Sequence, residues 1–302
     1  MIDTPRISIG LPVYNGENYL AEALDSLLAQ SYTDFELIIS DNASTDRTAE
    51  ICREYMARDH RIHYFRQPHN IGGGPNQAFV FRQSRGDLFK WAAHDDVCGR
   101  DLLARCVEVL DERPDVVLCH ADMGHIDEQG EVIDEYQYTL ATNSPDVAER
   151  LRSLLFTDGG DDEYGVMRSA VLRTVRPCGS YYNPGRPFVA EVALHGPFHQ
   201  VPERLFFRRE HPGRGDRNPT IRAIATNMDP RRAGQSSVRL VFEYLLAYVS
   251  AIHRAPLPAN DRKRCYYEFA RYLVNRVFVT GPRRMFGTPH HRHLLTTTGR
   301  AA

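Results

Sequence analysis

Leu88-Phe-Lys-Trp-Ala-Ala-His-Asp-Asp96 is an apolar, strand-like run that empties directly into a His94-Asp95-Asp96 cluster. Adjacent carboxylates at the end of a buried strand repel one another and are seldom buried without a partner. A divalent cation relieves that repulsion, and carboxylate oxygens suit Mg²⁺ or Mn²⁺. A polar turn that stops the strand and caps the next helix is the other reading of the same residues. On this stretch alone both stand.

The strand has companions on either side. Ile7-Ser-Ile-Gly-Leu-Pro-Val13 is an apolar run ending in the turn residues Tyr14-Asn-Gly16, and from Glu17 the apolar positions recur at helical spacing through Leu20, Ala23, Leu24, Leu27 and Leu28. Glu36–Ser40 reads as a second strand, followed by the polar turn Asp41-Asn-Ala-Ser-Thr-Asp46 and a helix from Arg47. Ile62–Phe65 is a third strand, Asn70–Pro75 a glycine loop, and Asn76–Ser84 a helix. Leu88–Ala93 is then the fourth strand, Arg100–Leu110 a helix, and Val116–His120 a fifth strand. This alternation predicts βαβ units, and so an α/β fold with a mostly parallel sheet covered by helices on both faces. Right-handed crossovers bring the strand ends to one edge, where such sheets bind ligands. Tyr14, Asn15, Asp41, Asn42, Asn70, Gly74, Asp95 and Asp96 are expected at that edge.

The second half is less regular. Gly124–Ile133 resembles a hairpin with Gln129-Gly130 in its turn. Helices are expected over Val147–Phe156 and Phe188–Leu194, and a final strand over Arg204–Arg209. Two further helices, Val238–His253 and Asp261–Phe278, precede a tail from Arg283 that carries His290, His291 and His293 and is expected to be unstructured.

Composition narrows the function. The 302 residues are 42% hydrophobic and 25% charged, with a formal net charge of −2, which removes any global electrostatic case for nucleic acid. Arginines concentrate between Arg204 and Arg300. The six cysteines form no CxxC pair and no zinc-type spacing, so they are expected to be reduced, buried thiols. The longest apolar patch, Val238–Ile252, contains Arg239 and Glu243 and is too short to cross a bilayer. A soluble, cytoplasmic protein is expected. No GxGxxG follows the first strand and no GxxxxGK[ST] occurs. Without that cradle of backbone amides a bound diphosphate needs a counter-charge, which a carboxylate-held ion supplies. This argues against a nicotinamide dehydrogenase or a P-loop kinase and for a metal-assisted nucleotide enzyme.

Taken together, Pro12-Val-Tyr-Asn15, Ser40-Asp-Asn-Ala-Ser-Thr-Asp46 and Gly86–Asp96 resemble the motifs of inverting family 2 glycosyltransferases with the GT-A fold, in order and at family spacing over residues 6–122. The resemblance implies a GT-A type, Rossmann-like sheet with a C-terminal helical extension. Residues 1–122 would bind the nucleotide-sugar donor, 123–215 the acceptor, and 216–302 would form the extension. It implies that Pro12 and Tyr14 contact the base and ribose of a UDP-, dTDP- or GDP-sugar, and that Asp41 and Asn42 read the base. Asn42 stands where the family often has a second Asp. Asp95 would be the main ligand of Mg²⁺ or Mn²⁺ and Asp96 a supporting one, with Ala93 at the place of the family's first Asp and His94 a spacer. The general base would be Glu191 at a helix start, with Asp161 and Asp162 in reserve; some relatives place that carboxylate near what is Gly185. Arg208, Arg209 and His211 would lie near the diphosphate. The acceptor would be a saccharide or lipid-linked hydroxyl, and the Arg-rich helices are compatible with peripheral contact at the inner face of a membrane. The alternatives are a nucleotidyltransferase, or a nucleotide-sugar-binding protein that has lost catalysis.

Overall fold

The computed structural model describes residues 4–135, 137–157, 162–177, 179–181, 183–213 and 220–276. Asp161, Cys178 and the histidine-bearing tail lie outside the described residues.

Strand β1 (Ile7–Val13) lies at the heart of the sheet because its two faces have different work. Ile7, Ile9, Leu11 and Val13 all enter the core under helix α1 (Leu20–Leu28). The opposite face carries Gly10, where a Cβ would stand 2.6 Å from Val80 and from Phe89, so only glycine admits that approach. β2 (Phe35–Asp41) pairs with β1 in parallel from Ile7↔Phe35 to Val13↔Asp41, so the two strands end together. After α2 (Thr48–Arg58), β3 (Ile62–Arg66) joins β2, and after α3 (Gly73–Gln83), β4 (Leu88–Trp91) joins the other side of β1. The expected carboxyl edge is therefore formed by these four strands. β4 closes at Trp91 rather than Ala93.

The remaining strands extend the sheet beyond β4. They comprise β5 (Val97–Cys98), then, after α4 (Leu102–Glu112), β6 (Leu118–Ile126) and β7 (Val132–Glu135). α5 (Val147–Phe156) leads through a 3₁₀ turn, Asp162–Tyr164, to β8 (Val166–Arg168). The short α6 (Ser169–Leu172), α7 (Gly185–Ala193) and β9 (Phe198–Arg209) follow. The order is β3-β2-β1-β4-β8-β6-β9-β5, with β7 on β6. β8 is antiparallel to both its neighbours, which leaves β6 and β9 parallel to β4. The expected hairpin is β6 with β7, and the strand expected from Arg204 is the second half of the longer β9.

α1, α2 and α4 cover one face. The other is covered by α3, α5 and α7, and by α9 (Ser237–Arg254) and α10 (Ala259–Val274), whose Tyr248, Ile252, Phe269 and Tyr272 share that core. α8 (Ile221–Met228), not foreseen, is capped by Thr220, whose side chain accepts from Ala223 N. The five described cysteines are buried free thiols. No helix among the described residues is long and apolar enough to cross a membrane.

Candidate active site

Backbone and side-chain hydrogen bonds lock the first two loops of the edge together. Asn15, at φ +51°, accepts from Thr45 N through Oδ1 at 2.9 Å, while its own N–H donates to Ser44 Oγ at 2.9 Å. Gly16 N donates to Thr48 Oγ1 at 2.8 Å and Glu17 N to Asp46 Oδ2 at 3.0 Å. The Asp41–Asp46 turn thus holds the β1 loop and leads into α2. Asp41 itself is fully buried. It accepts from Ser44 N and from the Tyr64 hydroxyl, each at 2.8 Å, with Arg66 at 3.5 Å. Burial and this carboxylate push the Tyr64 hydroxyl well above its ordinary pKa.

Asn42 fastens the next loop: Nδ2 donates to Asn70 Oδ1 at 3.0 Å and Oδ1 accepts from Ile71 N at 2.8 Å. Asn76 joins through Ser40, accepting from its hydroxyl at 2.6 Å and donating to its carbonyl at 2.8 Å.

These loops wall a cleft of about 780 Å³ whose lining includes Pro12, Tyr14, Asn15, Asn42, Asn70, Asn76, Trp91, Asp95, Arg208 and His211. Asp95, only 7% exposed, faces His211 with Oδ2 3.0 Å from Nε2. Tyr19 packs its ring 4.9 Å from that of His211, and burial, ahead of Glu128, raises the Tyr19 hydroxyl pKa. A further wall is made by Asp162, Glu163 and Tyr164 together with Asn183, Gly185, Arg186 and Val189 around the start of α7. α8 closes the rim with Ile224, Asn227 and Met228, the last lying beside Gly73.

Several expected site residues stand elsewhere. Asp41 is absent from the lining, because its carboxylate is turned into the loop it organises. Gly74 is buried within the first turn of α3, and Gly73 takes its place at the surface of the cleft. Asp96 points back to accept from Arg209 N at 3.0 Å. Arg209 lies behind the cleft, donating to the carbonyls of Asp95, Asp127 and Glu128 and to Glu22 Oε2 at 2.6 Å. Its neighbour Arg208 is the one that faces inward.

Glu191 is also turned away. Two residues past Val189 is some 200° around a helix, and Glu191 is buried against Arg254 of α9, 2.6 Å from Nη2, beside a second cavity. Asp162 is in the lining, but Oδ1 accepts from the Tyr138 hydroxyl at 2.6 Å. Asn18, Tyr19, Gln77, Glu128, Glu163 and Arg186 were not foreseen. Of these, Glu163 carried a signal in the sequence, since it follows Asp161-Asp162 directly in the acidic loop.

A mixed α/β sheet whose parallel strands β1 to β4 end at an asparagine-lined, acid- and imidazole-bearing cleft has the cleft where open α/β folds bind their ligands. The family model described as "Glycosyl transferase family 2" matches residues 8–161, and the chain belongs to that family. An uncharacterized glycosyltransferase of Rickettsia typhi is 33% identical over 146 residues, 47% of this chain and 42% of that protein. Glycosyltransferase GlyA of Streptococcus pneumoniae is 43% identical over 101 residues, 33% of this chain and 14% of that protein. The chain thus spans less than half the length of these relatives. Among solved structures, S. aureus TarS 1–349 in complex with UDP-GlcNAc superposes with a TM-score of 0.67 at 18% identity, over 89% of this chain and 73% of that one. Mannosyltransferase PcManGT from Pyrobaculum calidifontis, in complex with GDP-Man and Mn²⁺, gives 0.53 at 16% identity over 92% and 88%. The fold is the expected GT-A type.

Proposed function

We propose that this chain transfers a sugar, with inversion, from a nucleoside-diphosphate sugar to an acceptor hydroxyl. The observation that carries the reading is the Asp95–His211 pair, 3.0 Å apart, in the cleft that the Pro12–Asn15, Asn42 and Asn70 loops enclose. The family supports the reaction class.

The pair fits a divalent ion. Among the described residues no cluster of three or more His, Cys, Asp or Glu side chains is arranged around one point, yet Mg²⁺ or Mn²⁺ on a nucleotide commonly takes one or two protein ligands and completes its shell with water and phosphate oxygens. Asp95 and His211 would hold the ion in place of their mutual hydrogen bond, and the imidazole makes the set softer than Mg²⁺ prefers, favouring Mn²⁺. When bound, the ion neutralises charge on the departing diphosphate. Asp96 supports the site through the Arg209 backbone.

The chain's own groups do the rest. Asn42 has one N–H bonded to Asn70, and its second N–H donates to a carbonyl of the base. This reads uracil or thymine, and equally the carbonyl edge of guanine. Tyr14, 44% exposed, lies over the base and ribose. Arg208 puts positive charge toward the diphosphate, and the acidic turn at Asp162–Tyr164 takes the acceptor's proton. The acceptor, a saccharide or lipid-linked hydroxyl, enters along Asn183–Arg186.

The reading is tested by titrating UDP and GDP with and without Mn²⁺ into the wild type and Asp95→Ala. Mn²⁺ should tighten wild-type binding of one nucleotide by about tenfold or more, roughly 1.4 kcal/mol, and leave the variant unchanged. Equal affinity in all arms would sink it. Binding without nucleotide release from any nucleotide sugar would favour the non-catalytic alternative.

A further inference from the structure

The geometry points to Glu163 as the general base of the transfer, its carboxylate lying in the space that a side chain at Gly185 would take. This rests on the transferase reading above. As the acceptor oxygen bonds to the anomeric carbon, the bond from that carbon to the phosphate oxygen breaks and its electron pair leaves with the diphosphate. The hydroxyl proton must pass to a group at the acceptor, and a carboxylate within hydrogen-bond reach is suited to take it.

Four carboxylates line the cleft among the described residues: Asp95, Glu128, Asp162 and Glu163. Asp95 faces His211 and lies with the proposed ion. Glu128 is exposed in the β6–β7 turn, beside Tyr19 and with its carbonyl on Arg209, on the diphosphate side. Asp162 is 3% exposed, with Oδ1 2.6 Å from the Tyr138 hydroxyl and 3.7 Å from His120 Nε2, so its charge is directed toward a small cavity behind the wall. Glu163 differs from all three. A Cβ built on Gly185 would lie 2.5 Å from its Oε2, 3.0 Å from its Cδ and 3.2 Å from its Oε1. Its carboxylate therefore sits on the first residue of α7, whose electropositive end attracts an anion. It does so within the wall that Asn183, Gly185, Arg186 and Val189 present to the cleft.

The turn that carries Glu163 is fixed on both sides. The fully buried Lys90 of β4 donates Nζ to the Tyr164 carbonyl, with its ammonium 5.2 Å from the centre of the Phe206 ring. Gly165 N donates to the Asp162 carbonyl at 2.9 Å, and Tyr138, itself hydrogen-bonded to Thr142, clamps the Asp162 side chain. A catalytic carboxylate needs this kind of support, because small errors of position cost rate. Lys90 and Tyr138 are positioning residues in this arrangement.

The test exchanges the carboxylate between two positions. Nucleotide release from UDP-GlcNAc and GDP-mannose is measured with Mn²⁺ and a panel of p-nitrophenyl glycosides as acceptors, alongside UDP and GDP affinity and thermal melting. Glu163→Gln should bind nucleotide within twofold of wild type, melt normally, and turn over about 10²-fold or more slowly. It should also lose the acid limb of the wild-type pH–rate profile. Glu163→Ala should be equally slow. Adding Gly185→Asp to Glu163→Ala places a carboxylate in the vacated space and should restore turnover at least tenfold. Full turnover of Glu163→Gln, or no gain in the double variant, overturns the assignment while leaving the transferase reading intact. A wild type that releases nucleotide from neither donor instead overturns that reading, and the base with it.

Discussion

Replacing Arg209 with Met removes every donor of a buried guanidinium and keeps most of its stem. In the native chain Nε donates to the Asp95 carbonyl at 3.0 Å, Nη1 to the carbonyls of Asp127 and Glu128 at 2.9 and 3.3 Å, and Nη2 to Glu22 at 2.6 Å; the Tyr19 ring lies 4.7 Å from Cζ. Glu22 is 52% exposed and rehydrates on its own, so that ion pair contributes little. The loss falls on the carbonyls. Each hydrogen bond to a charged donor contributes about 1.5–3 kcal/mol, and the three to carbonyls, less than additive where water can follow, together contribute about 3–5 kcal/mol. Arg209→Met should therefore lose about 3–5 kcal/mol in urea unfolding followed by far-UV circular dichroism. Arg209→Lys should recover little of it, because one ammonium cannot serve three separated acceptors. Glu22→Gln should cost less than about 1 kcal/mol. Because Nε fixes the Asp95 carbonyl, Arg209→Met should also weaken Mn²⁺-dependent nucleotide binding from outside the cleft. A cost below about 1 kcal/mol for Arg209→Met, or an equal cost for Glu22→Gln, would refute this account of how the site is held.

Three other expectations follow from neighbouring contacts. Asn42→Ala leaves Ile71 N–H without its acceptor and frees the Asn70 loop; it should cost about 1–3 kcal/mol in the same unfolding assay and weaken nucleotide binding further than it destabilises the fold. Gly10→Ala forces a methyl against Val80 and Phe89 and should cost about 1–3 kcal/mol, readable as a lowered melting temperature. Asp59, held by the Arg61 side chain, has its pKa lowered from 3.8 in the folded protein. Its contribution is present above the unfolded value and is lost as pH falls through the lower, folded one. Asp59→Asn should thus narrow its stability gap to wild type as urea midpoints are taken from pH 6 toward 2, and a gap constant with pH would rule the pairing out.

The first half was readable because its strands are long and chemically plain. Ile7–Val13 and Phe35–Asp41 each put an unbroken apolar face into the core, and the polar loops after them could only be at one edge. What failed there was direction. Asp41 and Asn42 are neighbours in one turn, yet one carboxylate is spent inside the loop while the amide reaches the cleft, and spacing alone does not distinguish them. Arg208 and Arg209 were confounded similarly, since alternate residues of β9 face opposite sides. In the second half β8 is three residues long, and before it β5 is only two, too short for any period to register. Glu191 was read as a helix-start acid, but α7 begins at Gly185, which rotates Glu191 toward α9. α8 did carry a signal: Ile221, Ile224, Ala225 and Met228 recur at helical spacing behind the cap Thr220, with arginines and other polar residues around them.

The position of β8 between β4 and β6 gives the chain an order of assembly. During synthesis β1 to β4 can pair as soon as they emerge, but the far side of β4 stays an open edge until Val166–Arg168 arrives, some seventy residues later. An unpaired edge of that kind is a template for pairing between nascent chains. The segment that closes it comes directly after the Asp162–Tyr164 turn. Shielding the growing sheet and delivering the last acidic wall of the cleft are thus one docking event, and a chain stalled before it would be both sticky and unarmed.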